Sequence, residues 1–307
     1  MFINPKYIQL IKDGEIVAFP TETVYGLGAD AWNPSAIRKV FDVKGRPSDN
    51  PLILHISSKD QVSDFALEIP VTAKKLMNTF WPGPLSIVLT KKPEVLDAVT
   101  AGLNTVAIRM PDHPVALDFI SQTGPLVAPS ANKSGRPSPT KTEHVLEDFG
   151  QGFPIIDGEA TKIGLESTVI DLSGDIPSIL RPGSISKKEL EEVLGMEVIE
   201  SFFQASNGPK SPGQKYSHYK PKAQVCWLKK TKDLDNTSSL FLLLDSENEA
   251  PNVVNYNGDL NRLAKELYDR FRQADIEGYD SIVIESIEGL DHPMVSALLN
   301  RIGKALS

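Results

Sequence analysis

The first two thirds of the chain alternate short β-rich runs with segments of helical periodicity. The strand-like runs are EIVAF, LILHI, LSIVLT, TVAIRM, LVAPS and STVIDL. Between the first two of them, NPSAIRKVF places Ile37, Val40 and Phe41 at positions i, i+3 and i+4, and Asn33 and Pro34 mark the helix start. Strands and helices that alternate in this way predict an α/β sheet domain.

Cap residues mark two further helices. At the N-terminus, Asn4 is a predicted N-cap, Pro5 the first helical residue and Gly14 the stop. In SISKKELEEVLG, Ser186 and Glu189 have the spacing of a capping box. This last helix closes the regular pattern of the first domain.

A change in composition separates the two parts of the chain. Residues 205–222, ASNGPKSPGQKYSHYKPK, have no periodic apolar pattern and are rich in Pro, Gly, Ser and Lys, which is typical of a linker. We therefore predict a first domain over residues 1–204, a linker over 205–222 and a C-terminal domain over 223–307.

The C-terminal part repeats the β-α-β-α rhythm on a smaller scale. Its strand-like runs are AQVCWL, SLFLLL and DSIVIES, and its helices are DLNRLAKELYDRFRQADIEG and HPMVSALLNRIGKALS. The apolar stripe of the longer helix consists of Leu260, Leu263, Ala264, Leu267 and Phe271. We expect a small Rossmann-like α/β domain without a chemical motif, whose longer helix turns its charged residues to solvent.

Composition narrows the class of protein. The chain has 307 residues, of which 40% are hydrophobic and 23% charged, as in a globular protein with a large core. Its net charge of -8 argues against a basic nucleic-acid wrapper, so an anion site must be a local cluster of cations. Cys226 is the only cysteine, which excludes an intramolecular disulfide and a Cys-rich zinc site and favours a reducing compartment.

Three further features of the sequence bear on the location of the protein in the cell. We interpret Cys226 as a small buried hydrophobe on a strand. The N-terminal residues lack the pattern of a secretory signal, and the apolar run at 240–244 is far short of the roughly 20 residues of a membrane span. We expect a cytoplasmic protein that does not enter a membrane.

The sequence lacks the residues that several common reaction mechanisms require. The sequence contains no G-x-x-x-x-G-K-[ST] motif, no H-E-x-x-H motif and no cluster of histidines, which argues against a P-loop and a protein-ligated zinc. GLGADA matches G-x-G-x-x-A, but four polar residues, Thr21, Glu22, Thr23 and Tyr25, separate it from the preceding strand. A dinucleotide fingerprint is therefore a poor interpretation.

What remains is a set of polar loops, each of which we interpret as following a strand. They are PTETVYG, KGRPSDNP, AIRMPDH, APSANKSGRPSPT, GLESTVID and LRPGSIS, and their cations are Lys44, Arg46, Arg109, Lys133, Arg136 and Arg181. Ligands of α/β sheets bind beyond strand ends, and arginine forks fit phosphate and carboxylate oxygens. A single Lys or Arg in a loop is usually only solvated, but together these loops predict a pocket for a polyanion.

The stretch FPTETVYGLGADA joins a strand to one of these loops. We interpret PTETVYG as the polar rim of the pocket, with Gly26 and Gly28 letting the backbone turn closely past a ligand. For His55 in LILHI, a core position and a ligand role are equally consistent with the spacing.

The motifs together resemble one known family. FPTETVYGLG, KGRPSDNPL, APSANKSGRPSPT, ESTVID and LRPGSIS are similar, in order, to the signatures of the YrdC-type threonylcarbamoyl-AMP synthases. The K-x-R pair is Lys44/Arg46 and the S-x-N pair is Ser130/Asn132. The linker SPGQKYSHYKP and the α/β tail resemble the long, two-domain branch of the family.

The linker departs from the family's usual pattern at two positions. Gln214 stands where methionine is common, and Ser217 stands where arginine is common. These departures concern the contacts of the linker and leave the implied reaction unchanged.

The resemblance implies a YrdC-like catalytic domain with a twisted mixed sheet, and a nucleotidyltransferase reaction. L-Threonine, bicarbonate and ATP give L-threonylcarbamoyl-AMP and pyrophosphate, for the threonylcarbamoyl-adenosine modification of tRNA. The residues that match the family's threonine site are Thr23, His55, Arg109, Ser130 and Ser167. Those that match its ATP site are Lys44, Arg46, Asn50, Thr105, Asn132, Thr140, Arg181 and Tyr219. Within this set, Lys44 and Arg46 are expected to be the catalytic pair that neutralises the triphosphate.

General chemistry agrees with this reaction. Carboxylation of an amine and attack on the α-phosphate need positioning and charge stabilisation but no enzyme nucleophile. We expect Mg²⁺ to arrive with ATP, held by phosphates and water, and no metal site made by the protein. Tyr216, His218 and Tyr219 give the linker more aromatic surface than a tether needs, which favours a lid over the pocket.

Two other functions stay open. The same basic loops could grip RNA phosphates in a non-catalytic tRNA-binding or ribosome-binding factor, although the net negative charge argues against it. A nucleotide-dependent carbamoyl transferase acting on another substrate is the second alternative. With the synthase function we expect the tRNA threonylcarbamoyl-transferase machinery as a downstream partner, leave weak RNA binding open, and expect no membrane partner.

Overall fold

The computed structural model describes residues 3–201, 219–228 and 236–306, which form two β-sheets with helices packed on them. The strands of the first sheet are β1 (Val17–Phe19), β2 (Gly26–Asp30), β3 (Ile53–His55), β4 (Leu85–Thr90), β5 (Thr105–Arg109), β6 (Leu126–Val127), β7 (Thr168–Asp171), β8 (Ser178–Arg181) and β9 (Ile199–Glu200). The helices of this part are α1 (Pro5–Lys12), α2 (Pro34–Lys44), α3 (Val62–Phe65), α4 (Val71–Phe80), α5 (Asp97–Thr100), α6 (Pro114–Thr123), α7 (Thr142–Phe149) and α8 (Lys187–Leu194).

The first sheet is mixed, as the family resemblance implied. Its strand order is β1-β2-β6-β3-β5-β4-β7-β8-β9. Strand β3 runs parallel to β5 and antiparallel to β6, and β4 runs antiparallel to β5 and parallel to β7. In such a sheet the starts of some strands and the ends of others lie along one edge.

The predicted helix ends are confirmed. The side chain of Asn4 accepts from the amide of Lys6 at 3.0 Å at the start of α1. Ser186 and Glu189 make both hydrogen bonds of a capping box at the start of α8. The apolar face predicted for α2 is buried in the main core, which also contains residues of α4, α8 and the sheet.

The stretch GLGAD corrects the interpretation of its two glycines. Residues 26–30 form β2, which pairs with β1 as an antiparallel strand, so the backbone does not turn at these glycines. A Cβ atom on Gly28 would lie 2.9 Å from the ring of Phe19, so the absence of a side chain lets two buried strands pack closely. Neither Gly26 nor Gly28 has a positive φ angle.

The second sheet has four parallel strands within the described residues. They are β10 (Gln224–Trp227), β11 (Ser239–Leu243), β12 (Val253–Asn255) and β13 (Ser281–Ile284), in the order β10-β13-β11-β12. Helices α9 (Leu260–Glu277) and α10 (Val295–Leu306) pack on it. The five residues of the predicted stripe of α9 are all buried, which confirms the helix and its orientation.

Two expectations about this second part are wrong. Arg272 of α9 is buried instead of solvated, because the helix lies between its own sheet and the first part of the chain. Cys226 is only partly buried, and it packs against Phe241, Leu243 and Val283. The described part of the chain has no helix long and apolar enough to cross a membrane.

The domain boundaries predicted at 204 and 222 stay predictions. The linker residues Gln214, Tyr216, Ser217 and His218 lie outside the described residues. The description resumes at Tyr219, where the chain is already in contact with the first part.

Candidate active site

A pocket of about 670 Å³, including its open mouth, lies on the first sheet. Its walls are Thr21, Thr23, Val24, Gly26, Arg46, Ile53, His55, Arg109, Ala128, Pro129, Ser130, Asn132, Arg136, Ser138, Glu166, Ser167, Arg181 and Tyr219. Both Ile53 and His55, the first and last residues of β3, line it, so the pocket spans the length of that strand and is not confined to strand ends.

The loops reach this pocket from both ends of strands. KGRPSDNP follows helix α2 and leads into β3, and GLES leads into β7. The expectation that each loop follows a strand is therefore wrong for these two. The mixed sheet explains the difference, because antiparallel neighbours bring a strand start and a strand end to one place.

All five residues predicted to bind threonine line the pocket. Arg109, at the end of β5, donates from Nη1 to Thr23 Oγ1 at 2.9 Å and from Nε to the carbonyl of Gly83 at 3.3 Å. Its Nη2 lies 2.7 Å from Glu22 Oε2 in a buried ion pair. The guanidinium is thereby fixed at the pocket wall.

The rim loop between β1 and β2 is held by its own threonines. Thr21 Oγ1 donates to the carbonyl of Val24 at 2.7 Å and lies 2.9 Å from Thr23 Oγ1. These short bonds satisfy hydroxyl groups that would otherwise be buried without partners. They account for the two threonines of PTETV.

His55 is buried in the pocket wall with Nδ1 3.2 Å from the carbonyl of Ile53. Burial, and after it the charge of Arg109, lowers the pKa of His55 to about 3. The imidazole is therefore neutral at neutral pH. With Nδ1 donating to the carbonyl, Nε2 is the acceptor.

Ser167 and Arg181 are joined at the opposite wall. Nη2 of Arg181 donates to Ser167 Oγ at 3.0 Å and to its carbonyl at 3.0 Å. The hydroxyl of Ser167 lies 2.8 Å from that of Ser86. This places Arg181, the last residue of β8, beside a residue of the predicted threonine set.

Four of the eight residues predicted to bind ATP line the pocket, namely Arg46, Asn132, Arg181 and Tyr219. Arg46 follows the left-handed cap Gly45 at the end of α2 and donates to the carbonyl of Pro51 at 3.0 Å. Asn132 Nδ2 donates to the carbonyls of Lys133 and Arg136, which closes the S-x-N loop on itself.

The other four predicted ATP residues, Lys44, Asn50, Thr105 and Thr140, are outside the pocket wall. Thr105 lies at the start of β5, opposite Thr90 and four residues before Arg109. Thr140 is buried, and its amide donates to His144 Nδ1 at 3.1 Å. Their assignment to ATP stays a prediction.

Lys44 takes a position that its sequence neighbours do not reveal. Its ammonium is buried and donates to the carbonyls of Ser130 at 2.6 Å and Asn132 at 2.5 Å. Burial, followed by the charge of Arg46, lowers the pKa of Lys44 well below its ordinary value. In this geometry Lys44 holds the S-x-N loop against the end of α2.

Sequence reasoning missed Glu166 as a pocket residue. It precedes Ser167 directly, so an acidic residue inside the ESTVID motif was the available signal. Ser138 Oγ donates to Glu166 Oε1 at 2.6 Å. Within the described residues, no group of three or more His, Cys, Asp or Glu side chains is arranged to hold a metal ion.

Two family models match the chain. One, described as Telomere recombination and covering the Sua5, YciO and YrdC proteins, matches residues 9–183. The other, described as Threonylcarbamoyl-AMP synthase, C-terminal domain, matches residues 185–307. The chain belongs to the two-domain threonylcarbamoyl-AMP synthase family.

Relatives in this family match along nearly the whole chain. The threonylcarbamoyl-AMP synthase of Bacillus subtilis is 44% identical over 96% of this chain and 90% of its own length. That of Schizosaccharomyces pombe is 37% identical over 95% of this chain and 85% of its own length. The crystal structure of Pyrococcus abyssi Sua5 complexed with L-threonine is 40% identical, with a TM-score of 0.89 over 97% of this chain and 92% of that chain.

Proposed function

We propose that this protein is an L-threonylcarbamoyladenylate synthase, which makes L-threonylcarbamoyl-AMP and pyrophosphate from L-threonine, bicarbonate and ATP. The observation that carries the proposal is the convergence of Arg46 and Arg181 on one pocket with the five residues of the threonine set, which include Arg109. A carboxylate and a triphosphate are the anions that such a set of forks accommodates. The family membership supports the same reaction.

The reaction requires two bond-forming steps. The amine nitrogen of threonine bonds to the carbon of bicarbonate and water leaves, which gives a carbamate. A carbamate oxygen then bonds to the α-phosphorus of ATP, the bond from that phosphorus to the bridging oxygen breaks, and pyrophosphate leaves. No covalent bond to the enzyme is needed, so the pocket acts by positioning and by charge.

Each pocket group has a role that fits its surroundings. Arg109 binds the threonine carboxylate, since its guanidinium is oriented by Thr23 and Gly83. Nε2 of neutral His55 accepts a hydrogen bond from the threonine hydroxyl. Arg46 and Arg181 offset the charge of the phosphates as pyrophosphate separates.

Mg²⁺ is part of this proposal as a companion of ATP. The carboxylate that lines the pocket, that of Glu166, is already bound by Ser138, Tyr268 and Arg301. We therefore expect phosphate oxygens and water to hold the metal ion. We further propose that the mixed anhydride passes to the tRNA threonylcarbamoyl-transferase machinery. A cytoplasmic location remains a prediction from the single cysteine.

The decisive experiment is pyrophosphate release with threonine, bicarbonate and ATP omitted one at a time. We expect release only when all three are present, and serine to be about 10-fold poorer than threonine because one methyl contact is lost. Pyrophosphate release that is indifferent to threonine would refute the proposal. RNA binding that falls steeply with salt, without pyrophosphate release, would favour the RNA-binding alternative.

A further inference from the structure

Arg301 of helix α10 is fully buried and contacts two residues of the pocket wall and the sequence neighbour of a third. Its Nε donates to Glu166 Oε2 at 2.7 Å, and its Nη2 donates to the carbonyl of Pro182, the residue after Arg181, at 3.0 Å. The guanidinium also lies over the ring of Tyr219, 5.5 Å from the centroid. One side chain of the second part of the chain thus touches or adjoins three pocket residues.

Arg301 is the strongest of the groups that favour the charged form of Glu166. Burial by itself raises the pKa of Glu166, but the charges of Arg301 and Arg181 and the hydrogen bond from Ser138 lower it to about 2. The carboxylate is therefore ionised at neutral pH, in the wall of a pocket proposed for a triphosphate. Without Arg301, Arg181 alone of these two cations would offset the buried carboxylate, which would then repel phosphate more strongly.

Tyr219 is also held from the second part of the chain. Its ring stacks on that of Tyr268 of α9, with centroids 5.1 Å apart, and Arg301 covers it at cation-π distance. Tyr219 has a φ of +69°, a left-handed conformation that a bulky residue adopts only when its surroundings hold it. Tyr268 in turn donates to Glu166 Oε2 at 3.0 Å.

We infer that Arg301 is a positioning residue of the nucleotide site, and that the C-terminal part of the chain completes the ATP pocket through it. Arg301 offsets the charge of Glu166, fixes the backbone that carries Arg181, and holds the ring of Tyr219 at the pocket wall. This inference rests on the proposed function, because it takes the pocket to be the site of ATP. The C-terminal part of the chain would then help to position residues of the nucleotide site, a role that its own sequence pattern does not indicate.

The test compares Arg301→Met with the matched control Arg262→Met. Arg262 lies on α9 in a partly exposed pair with Glu266, so its loss should leave the pocket unchanged. Arg301→Met should raise KM for ATP by about 10-fold or more and weaken binding of a non-hydrolysable ATP analogue equally, since charge-assisted bonds are lost. KM for threonine should change by less than about 3-fold. A general loss of structure would instead impair the use of both substrates.

A charge rescue separates positioning from folding. In Glu166→Gln/Arg301→Met, the anion that has lost its strongest counter-charge is gone, so affinity for the ATP analogue should recover in part. Wild-type affinity for the analogue in a folded Arg301→Met protein would overturn the inference, and so would the absence of any recovery in the double variant. If Arg301→Met does not fold, Arg301→Lys and Tyr268→Phe serve as replacement variants. Both should bind the ATP analogue more weakly than the wild type does. Wild-type binding in both would contradict the inference.

The two proposals fail in distinguishable ways. If the wild-type protein releases no pyrophosphate that depends on threonine, the proposed function fails. If the wild-type protein has that activity but analogue binding is the same in Arg301→Met and Arg262→Met, only the positioning role fails.

Discussion

Glu22 Oε2 lies 2.7 Å from Arg109 Nη2, and both side chains are buried at the pocket. Arg109 is the group expected to bind the carboxylate of threonine. Glu22 therefore supplies a counter-charge for a guanidinium that substrate would otherwise have to neutralise alone.

Glu22→Gln should lower the free energy of unfolding by about 3 kcal/mol, because it leaves Arg109 buried without its counter-ion. Saturating L-threonine should then raise the melting temperature of the variant more than that of the wild type, since its carboxylate supplies the missing charge. Thermal unfolding with and without threonine checks this, with L-threoninol, which lacks the carboxylate, as the control ligand. Equal stabilisation of both proteins by threonine would show that the carboxylate does not reach Arg109.

Lys44 and Arg46 should behave differently, although both belong to the K-x-R motif. Arg46→Ala removes a pocket guanidinium and should raise KM for ATP by about 10- to 100-fold with an unchanged melting temperature. Lys44→Met removes the ammonium that donates to the Ser130 and Asn132 carbonyls, so it should reduce stability and the use of both substrates. Melting temperatures and the two KM values distinguish these outcomes. If Lys44→Met had wild-type stability and only its KM for ATP were raised, the result would favour direct contact between Lys44 and phosphate.

Arg272 should contribute strongly to stability across the two parts of the chain. Its guanidinium forms two hydrogen bonds with Asp148 of α7, at 3.0 and 3.2 Å, and donates to the carbonyl of Pro137 at 2.6 Å. Arg272→Met should cost about 3 kcal/mol in urea unfolding, because Asp148 loses a buried partner. Lys141→Met is the matched control, since its pair with Asp269 also joins the two parts but is only partly buried, and it should cost less than about 1 kcal/mol. An equal decrease in the free energy of unfolding in the two variants would show that burial does not strengthen the Arg272 pair.

Stability should fall as the pH is lowered from 7 to 5. Because the pKa of His55 is lowered to about 3 from 6.5, the unfolded chain binds a proton in this range that the folded protein does not. The expected loss from His55 is about 2 kcal/mol at pH 5, and His113, whose pKa is also lowered by burial, adds in the same direction. Glu166 and Asp269, with pKa values of about 2, lose their contribution only at lower pH.

Urea unfolding at pH 7 and pH 5 measures this slope. His55→Gln should flatten it, since glutamine does not titrate. An equal slope in the variant and the wild type would mean that His55 gains its proton in the folded state as well.

Much of the fold follows from local sequence. The caps of α1 and α8, the buried faces of α2 and α9 and most of the central strands are determined by residues within one or two turns of each other. Strand β2 was missed because a Gly-rich run after polar residues has the local signature of a loop. Its strand conformation depends on β1 and β6, to which it pairs.

The sequence motifs and the family resemblance were enough to predict five residues of the threonine set and four of the ATP set that line one pocket, and their roles toward the substrates stay predictions. The contacts of Lys44, Arg272 and Arg301 could be assigned only from the folded structure. A cation's role depends on which carboxylates and carbonyls surround it and on how far water is excluded, and those partners lie 86 to 135 residues away in the chain. Burial of that kind leaves no local pattern, because Lys and Arg at a solvated surface and in a buried ion pair have the same sequence neighbours.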